Sequence, residues 1–312
     1  MSLRTVLPVL LTAILLLGGC RPSSNAASTG SGAAPALPDS ALAPADSATA
    51  ARFAAAMRHG LDQRTDTSSV GALMQALGRH FRGRPYLEGT LDTGPPESLV
   101  VRLDGFDCVT FVETTLAMAR GLMADDTTYA GFARRLAGQR YRDGTIRGYC
   151  SRLHYFTEWL ADNEDRGVVE RLDDDLGGRR MTDTLDFMST HRASYDRFAT
   201  NDSLYACVQD METDLRARQR DRPVRYVPQD SIRAVYDRLR AGDIVAIATS
   251  IDGLDVAHTG LVYAHEDGGP KAFGLLHASL SDGVVVSPDL QRYVQKIDHQ
   301  IGIVVARPRP VR

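Results

Sequence analysis

The hydrophobic period changes once along this chain, and that change limits the folds open to it. Up to about residue 240 apolar residues recur at helical spacing, over 51–62, 69–80, 109–123, about 127–138, 151–163, roughly 203–218 and 229–240. Val70, Leu73, Met74 and Leu77 share one face of the second segment, and Leu153, Phe156, Trp159 and Leu160 form a stripe on the fifth. A strand-like stretch at 98–103 interrupts the series. Beyond residue 242 the pattern becomes that of strands, at 243–249, 255–264, 272–278, 283–287 and 300–307, separated by Gly and Asp turns. Helices first and strands last predict an α+β domain, with helices packed on an antiparallel β-sheet. No internal repeat is present, so one domain over 51–312 is expected, with its body beginning near residue 47.

The first 50 residues carry different signals. Arg4 precedes an apolar stretch, Val6 to Leu17, too short to span a bilayer comfortably, and Leu17-Gly-Gly-Cys20 follows. A cysteine at that place resembles the bacterial lipobox, which implies a signal peptide over 1–20 and lipidation of Cys20. The expectation is an exported lipoprotein of the cell envelope, held at the membrane by the lipid. Arg21 in place of Asp fits sorting to an outer membrane, with the protein on its periplasmic face. Ala, Ser and Pro fill 20 of the 30 positions of 21–50, too little apolar surface to offset the entropy of ordering, so a flexible tether is predicted. A net charge of −3 without a basic cluster excludes a general nucleic-acid binder.

Export makes cysteine pairing possible. Four cysteines less Cys20 leave Cys108, Cys150 and Cys207, and three cannot all pair, so at least one thiol stays free. A Cys150–Cys207 bridge is open to the chain, but the sequence does not show that their α-carbons approach.

Cys108 sits between the turn at Gly105 and the apolar helix after it, which puts it in the first helical turn with Asp107 as cap. A helix N-terminus favours thiolate over thiol, and its free N–H groups can stabilise an oxyanion. An activated Cys108 is expected to react well below the ordinary thiol pKa of about 8.5. The competing reading is a structural cysteine or half of a disulfide. Downstream, His258 lies within one predicted strand and His277 within the next. Adjacent antiparallel strands bring such residues together, making His258 a general base and His277 the group that fixes its tautomer. Each histidine alone is more often a satisfied core or surface group.

Taken in order, GRPY (83–86), Asp107-Cys108, Gly242-Asp-Ile-Val, His258-Thr-Gly and His277-Ala-Ser resemble the NlpC-type papain-like cell-wall hydrolases. Asp107-Cys-Val-Thr-Phe-Val-Glu113, Arg152-Leu-His-Tyr-Phe-Thr-Glu-Trp159, Gly253-Leu-Asp-Val-Ala-His-Thr-Gly260 and Leu276-His-Ala-Ser279 resemble its N-acetylmuramoyl-L-alanine amidase-like branch, over roughly 65–308. The resemblance implies a papain-like fold, Cys108 as nucleophile, His258 as base and His277 as third member. It also implies that Tyr86, Arg152, His154 and Tyr155 line a cleft for peptidoglycan fragments. Tyr86 reads equally well as a core aromatic, and Arg152, His154 and Tyr155 as a packed helix face with Arg152 in solvent. Other members of the wider group carry Gly after a cysteine-serine pair, whereas Val109-Thr110 stands here. No cofactor is implied, and no metal: HExxH is missing, and the eight histidines include no pair at a recognised zinc-ligand spacing. Three alternatives stay open: an endopeptidase cutting the D-Glu–diamino acid bond of the stem peptide, a non-catalytic wall-binding lipoprotein, and an acyltransferase sharing the triad.

Overall fold

In the computed structural model, which describes residues 37–181, 184–266 and 273–311, polar side chains fix where most helices begin. Asp46 caps α1 (Ser47–Gln63), Ser69 caps α2 (Val70–His80), Asp107 caps α3 (Cys108–Met123) and Thr128 caps α4 (Tyr129–Arg140). Next come α5 (Phe156–Asp165), α6 (Asp173–Leu176), α7 (Phe187–Thr190), the Asn201-capped α8 (Asp202–Asp221) and the Asp289-capped α9 (Leu290–Gln295). The expected signal peptide 1–20, Cys20 and tether residues 21–36 lie outside the described residues. The tether boundary drawn at residue 50 is too late, because residues 47–50 form the first turn of α1.

The strands are β1 (Val169–Arg171), β2 (Arg179–Arg180), β3 (Arg225–Pro228), β4 (Ile244–Thr249), β5 (Val256–Ala264), β6 (Phe273–Ser279), β7 (Gly283–Ser287) and β8 (Gln300–Pro308). They form one antiparallel sheet in the order β2-β3-β8-β4-β5-β6-β7, with β1 also paired to β8. One face presents Ala246, Ala248, Leu261, Leu276, Ala278, Val304 and Ala306 to a core shared with α1 to α5. The alanines leave room for α3 to lie close, and twelve of its sixteen residues are buried. The other face presents Val245, Ile247, Val262, Leu275, Ile303 and Val305 to α9 and a 3-10 segment, Gln229–Arg238. A third cluster gathers Tyr149, Tyr155, Met188, Phe198, Val208 and Met211. The predicted α+β class with an antiparallel sheet is thus the observed one.

The entry to β4 depends on two glycines. Gly242 has φ +73, and a Cβ on it would lie 1.9 Å from the Gly71 carbonyl oxygen, so backbone meets backbone where α2 starts. Asp243 beside it accepts two hydrogen bonds from Arg307 on β8, 2.9 and 2.8 Å, which gives the Gly-Asp-Ile-Val motif a structural purpose.

Three expectations fail for identifiable reasons. Among the described residues, 98–103 pair with no strand; Arg140 and the Tyr141 hydroxyl donate instead to the carbonyls of Val100 and Ser98, at 2.6 and 3.0 Å. The helix drawn over 151–163 begins only at Phe156, because Arg152 bridges to Tyr141 and the Leu153 N–H donates to the Arg140 carbonyl. The helix expected over 229–240 is a 3-10 segment, Gln229–Arg238, rather than an α-helix.

Candidate active site

Cys108 is the first residue of α3. The Asp107 carboxylate accepts from the Thr110 N–H at 2.7 Å, and Thr110 Oγ1 accepts from the Asp107 N–H at 3.0 Å, a reciprocal cap. That cap leaves the N–H groups of Cys108 and Val109 to the sulfur, and the Thr259 N–H of β5 joins them. Burial outweighs all three donors and the Asp107 charge works the same way, so the thiol is pushed up to about 12. The expected resting thiolate is therefore corrected to a neutral thiol. Cys108 is free, since Cys150 and Cys207 form a disulfide with α-carbons 6.4 Å apart that ties the residues beside the site to α8.

The two histidines are diagonal neighbours. Leu261 pairs with Leu276, so the register continues with Gly260 opposite His277. A Cβ at 260 would lie 2.9 Å from His277 Cβ, and its absence lets the His277 ring lean across toward His258. His258 Nε2 is 2.7 Å from His277 Nδ1, and His277 Nε2 is 3.1 Å from Ser287 Oγ on β7. Burial pulls His258 down to about 4, and burial together with the His258 charge pulls His277 down to about 3, so both are neutral at pH 7. Two neutral rings joined this way allow two proton orders, because the Ser287 hydroxyl can donate or accept; the order that suits a base has His258 Nε2–H donating to His277 Nδ1 and His277 Nε2–H to Ser287. His258 Nδ1 is then a bare lone pair. Tyr293 of α9 packs its ring 4.7 Å from that of His277, and burial and then the sulfur of Cys108 push its phenol up to about 12.

Cys108 and His258 line one cavity of about 300 Å³. Among the described residues the thiol makes no hydrogen bond to His258; its β5 contact is the N–H of the next residue, Thr259. Such contacts are often loose without substrate.

Tyr86 is brought to the same place. Backbone bonds from Leu87 N–H to the Phe106 carbonyl (3.0 Å) and from Phe106 N–H to the Pro85 carbonyl (3.1 Å) hold it beside Cys108. Burial, and then the sulfur, raise its phenol. Arg152, His154 and Tyr155 also line the cavity, on extended backbone ahead of α5. Arg152 is buried, not in solvent, and donates to the Leu91 carbonyl and to Asp92, both at 2.7 Å. His154 Nε2 bonds the Tyr149 carbonyl at 2.9 Å, and burial followed by Arg152 pulls its ring down to about 3. The Tyr155 hydroxyl is already engaged, donating to Glu212 at 2.8 Å and accepting from the Met188 N–H at 3.1 Å.

Residues 76–303 match the AmiA-like family, described as N-acetylmuramoyl-L-alanine amidase-like. The chain belongs to this family. No curated protein matches it. Among solved structures, an N-acetylmuramoyl-L-alanine amidase from Bacteroides uniformis ATCC 8492 is 31% identical with a TM-score of 0.70, over 78% of this chain and 100% of that one. A Bacteroides fragilis protein provisionally named a xylanase is 34% identical with a TM-score of 0.66, over 74% and 98%. A Legionella pneumophila protein, 19% identical with a TM-score of 0.60 over 85% and 97%, shares the fold.

In this amidase-like chain several cavity and site residues escaped the sequence reading. Asp255 is buried and accepts from the Thr157 N–H (2.7 Å) and hydroxyl (2.8 Å), capping α5 from the start of β5. Glu113 is buried between Arg140 and the Trp159 indole, at 2.7 and 3.2 Å. Asp255 stands in the motif that carries His258 and Glu113 in the one that carries Cys108, but both partners lie far off in sequence. Tyr293 and Ser287 carried no local signal.

Proposed function

We propose that the chain hydrolyses the amide bond between N-acetylmuramic acid and L-alanine in peptidoglycan or its fragments, on a papain-like scaffold of the NlpC type. The observation that carries this is the 2.7 Å His258–His277 bond in the wall of the cavity that Cys108 enters from a helix N-terminus. Because the thiol rests neutral and His258 rests neutral, attack and proton transfer go together. The Cys108 sulfur bonds to the carbonyl carbon as its proton passes to His258 Nδ1. The oxyanion accepts from the N–H groups of Cys108 and Val109. Imidazolium formed on His258 is steadied by the lone pair of His277 through Nε2–H, and His277 is held by Ser287, which makes Ser287 a positioning residue. His258 then returns the proton to the alanine nitrogen, whose bond to carbon breaks, and the muramoyl thioester remains. Water, deprotonated by the same imidazole, releases the acid and restores the thiol. No step calls for a metal or cofactor.

The xylanase name of one relative draws no support from this cavity, since glycoside hydrolysis needs two available carboxylates; of the four that line it, Asp107 caps α3, Glu113 and Asp255 are engaged in the packing described above, and only Asp92, paired with Arg152, is exposed. Export as a lipoprotein anchored through Cys20 is part of the proposal, and a disulfide at Cys150–Cys207 supports an oxidising compartment.

The test is incubation with defined muropeptides followed by mass spectrometry. Release of the whole peptide from the sugar is expected; release of a distal fragment alone indicates the endopeptidase, and no product indicates a binding protein. Cys108→Ser is expected to lower turnover by on the order of 10³-fold or more with the thermal midpoint unchanged. Activity retained in that variant removes the covalent route.

A further inference from the structure

We infer that Arg152 forms a carboxylate subsite in the same cavity, occupied in this structure by the chain's own Asp92, which a substrate carboxylate displaces. The inference rests on the amidase reading for the bond cut, but its geometry is separate.

Arg152 is 5% exposed, and its nearest anionic contact is Asp92 at 2.7 Å, whose side chain is 45% exposed. The other carboxylate in reach, Glu97, is buried and shared: it stands 3.7 Å from Arg152 and 3.6 Å from Arg197, and hydrogen-bonds the Tyr141 hydroxyl instead. Two guanidinium cations thus face one buried carboxylate, and the compensating charge comes from an exposed residue. Among the described residues, the hydrogen bonds holding 88–95 to the rest of the chain come from Arg152 (to Leu91 and Asp92) and Arg197 (to Gly94), so release of Asp92 disturbs little else. The Tyr149 ring lies 4.9 Å from the Arg152 guanidinium and 5.0 Å from that of Arg197, which keeps the Arg152 fork in place. A buried, oriented guanidinium suits bidentate binding of a carboxylate. The ligand class is an acidic peptide, with a free carboxylate on the residue that follows the L-alanine of the scissile amide.

The experiment uses the Cys108→Ser protein, so that nothing is turned over, and calorimetric titration with L-alanyl-γ-D-glutamyl peptide carrying either a free α-carboxylate or the α-amide. The free acid is expected to bind about tenfold or more tightly than the amide, in line with the strength of a charged hydrogen bond. Adding Asp92→Asn is expected to tighten the acid several-fold and leave the amide unchanged, and adding Arg152→Met to abolish the preference. Equal binding of acid and amide, no binding of either, or indifference to Asp92→Asn each overturns the subsite; the Asp92 variant keeps the test alive if Arg152→Met fails to fold. Product analysis with the unmodified protein judges the amidase reading independently. Release of whole peptide together with equal binding of acid and amide rejects the subsite alone.

Discussion

A neutral thiol facing a neutral imidazole makes a specific demand on pH. His258 works as base only when unprotonated, and its ring is pulled down to about 4. Raising pH through that value creates the competent form, so kcat/KM is expected to climb tenfold per pH unit below about 4 and to be flat by pH 6. An ordinary imidazole would put that limb near 6.5, and a limb there refutes the assignment. The thiol at about 12 predicts that iodoacetamide labelling of Cys108 keeps rising through pH 9–10 without a plateau. Ser287→Ala removes one hydrogen bond of net value about 0.5–1.5 kcal/mol, so kcat should fall between about two- and tenfold at unchanged KM, with Ser287→Thr restoring it. Full kcat in the alanine variant would show that the serine merely packs. Cys108, His258 and His277 were legible because each sits in a short motif on a single element. Ser287, Asp255 and Glu113 were not, because each acts through a partner contributed by another part of the chain.

Among elements, most periodic segments of five residues or more were readable, with 229–240 the exception in helix type, and shorter ones were not. The strands 243–249 and 255–264 were placed within a residue of β4 and β5, whereas β1, β2 and β3 run only 3, 2 and 4 residues, below the length at which a period can register. The false start of α5 has a comparable origin. Leu153 continues the apolar stripe, yet its N–H is taken by the Arg140 carbonyl and the helix start is capped by Asp255, almost a hundred residues away. The Gly242–Gly71 contact is open to direct test. An alanine at 242 meets both a left-handed φ and the Gly71 carbonyl, and Gly242→Ala should lower stability by about 2–4 kcal/mol in urea unfolding, with the m-value preserved. A loss under about 0.5 kcal/mol would mean that α2 and β4 separate at little expense.

For the whole molecule, the period switch correctly announced helices on an antiparallel sheet, but nothing in it foretold the third cluster that α8 builds beside the cavity. The Cys150–Cys207 bond closes a 57-residue span across that cluster. Cys150→Ala with Cys207→Ala should cost about 2–4 kcal/mol and raise KM more than it lowers kcat, since Cys150 adjoins Tyr149 and lies two residues from Arg152. An unchanged KM would separate the bridge from substrate binding.

The same bridge places two sulfur chemistries with opposite needs in one polypeptide. Dithiothreitol or glutathione, added to guard the nucleophile against peroxide, also attacks the half-exposed Cys150–Cys207 pair and so erodes the wall of the cavity that the nucleophile serves. Because the neutral thiol of Cys108 itself resists peroxide, shelf life in the laboratory should fall as reductant is added, and oxygen exclusion is a gentler way to preserve activity than any added thiol.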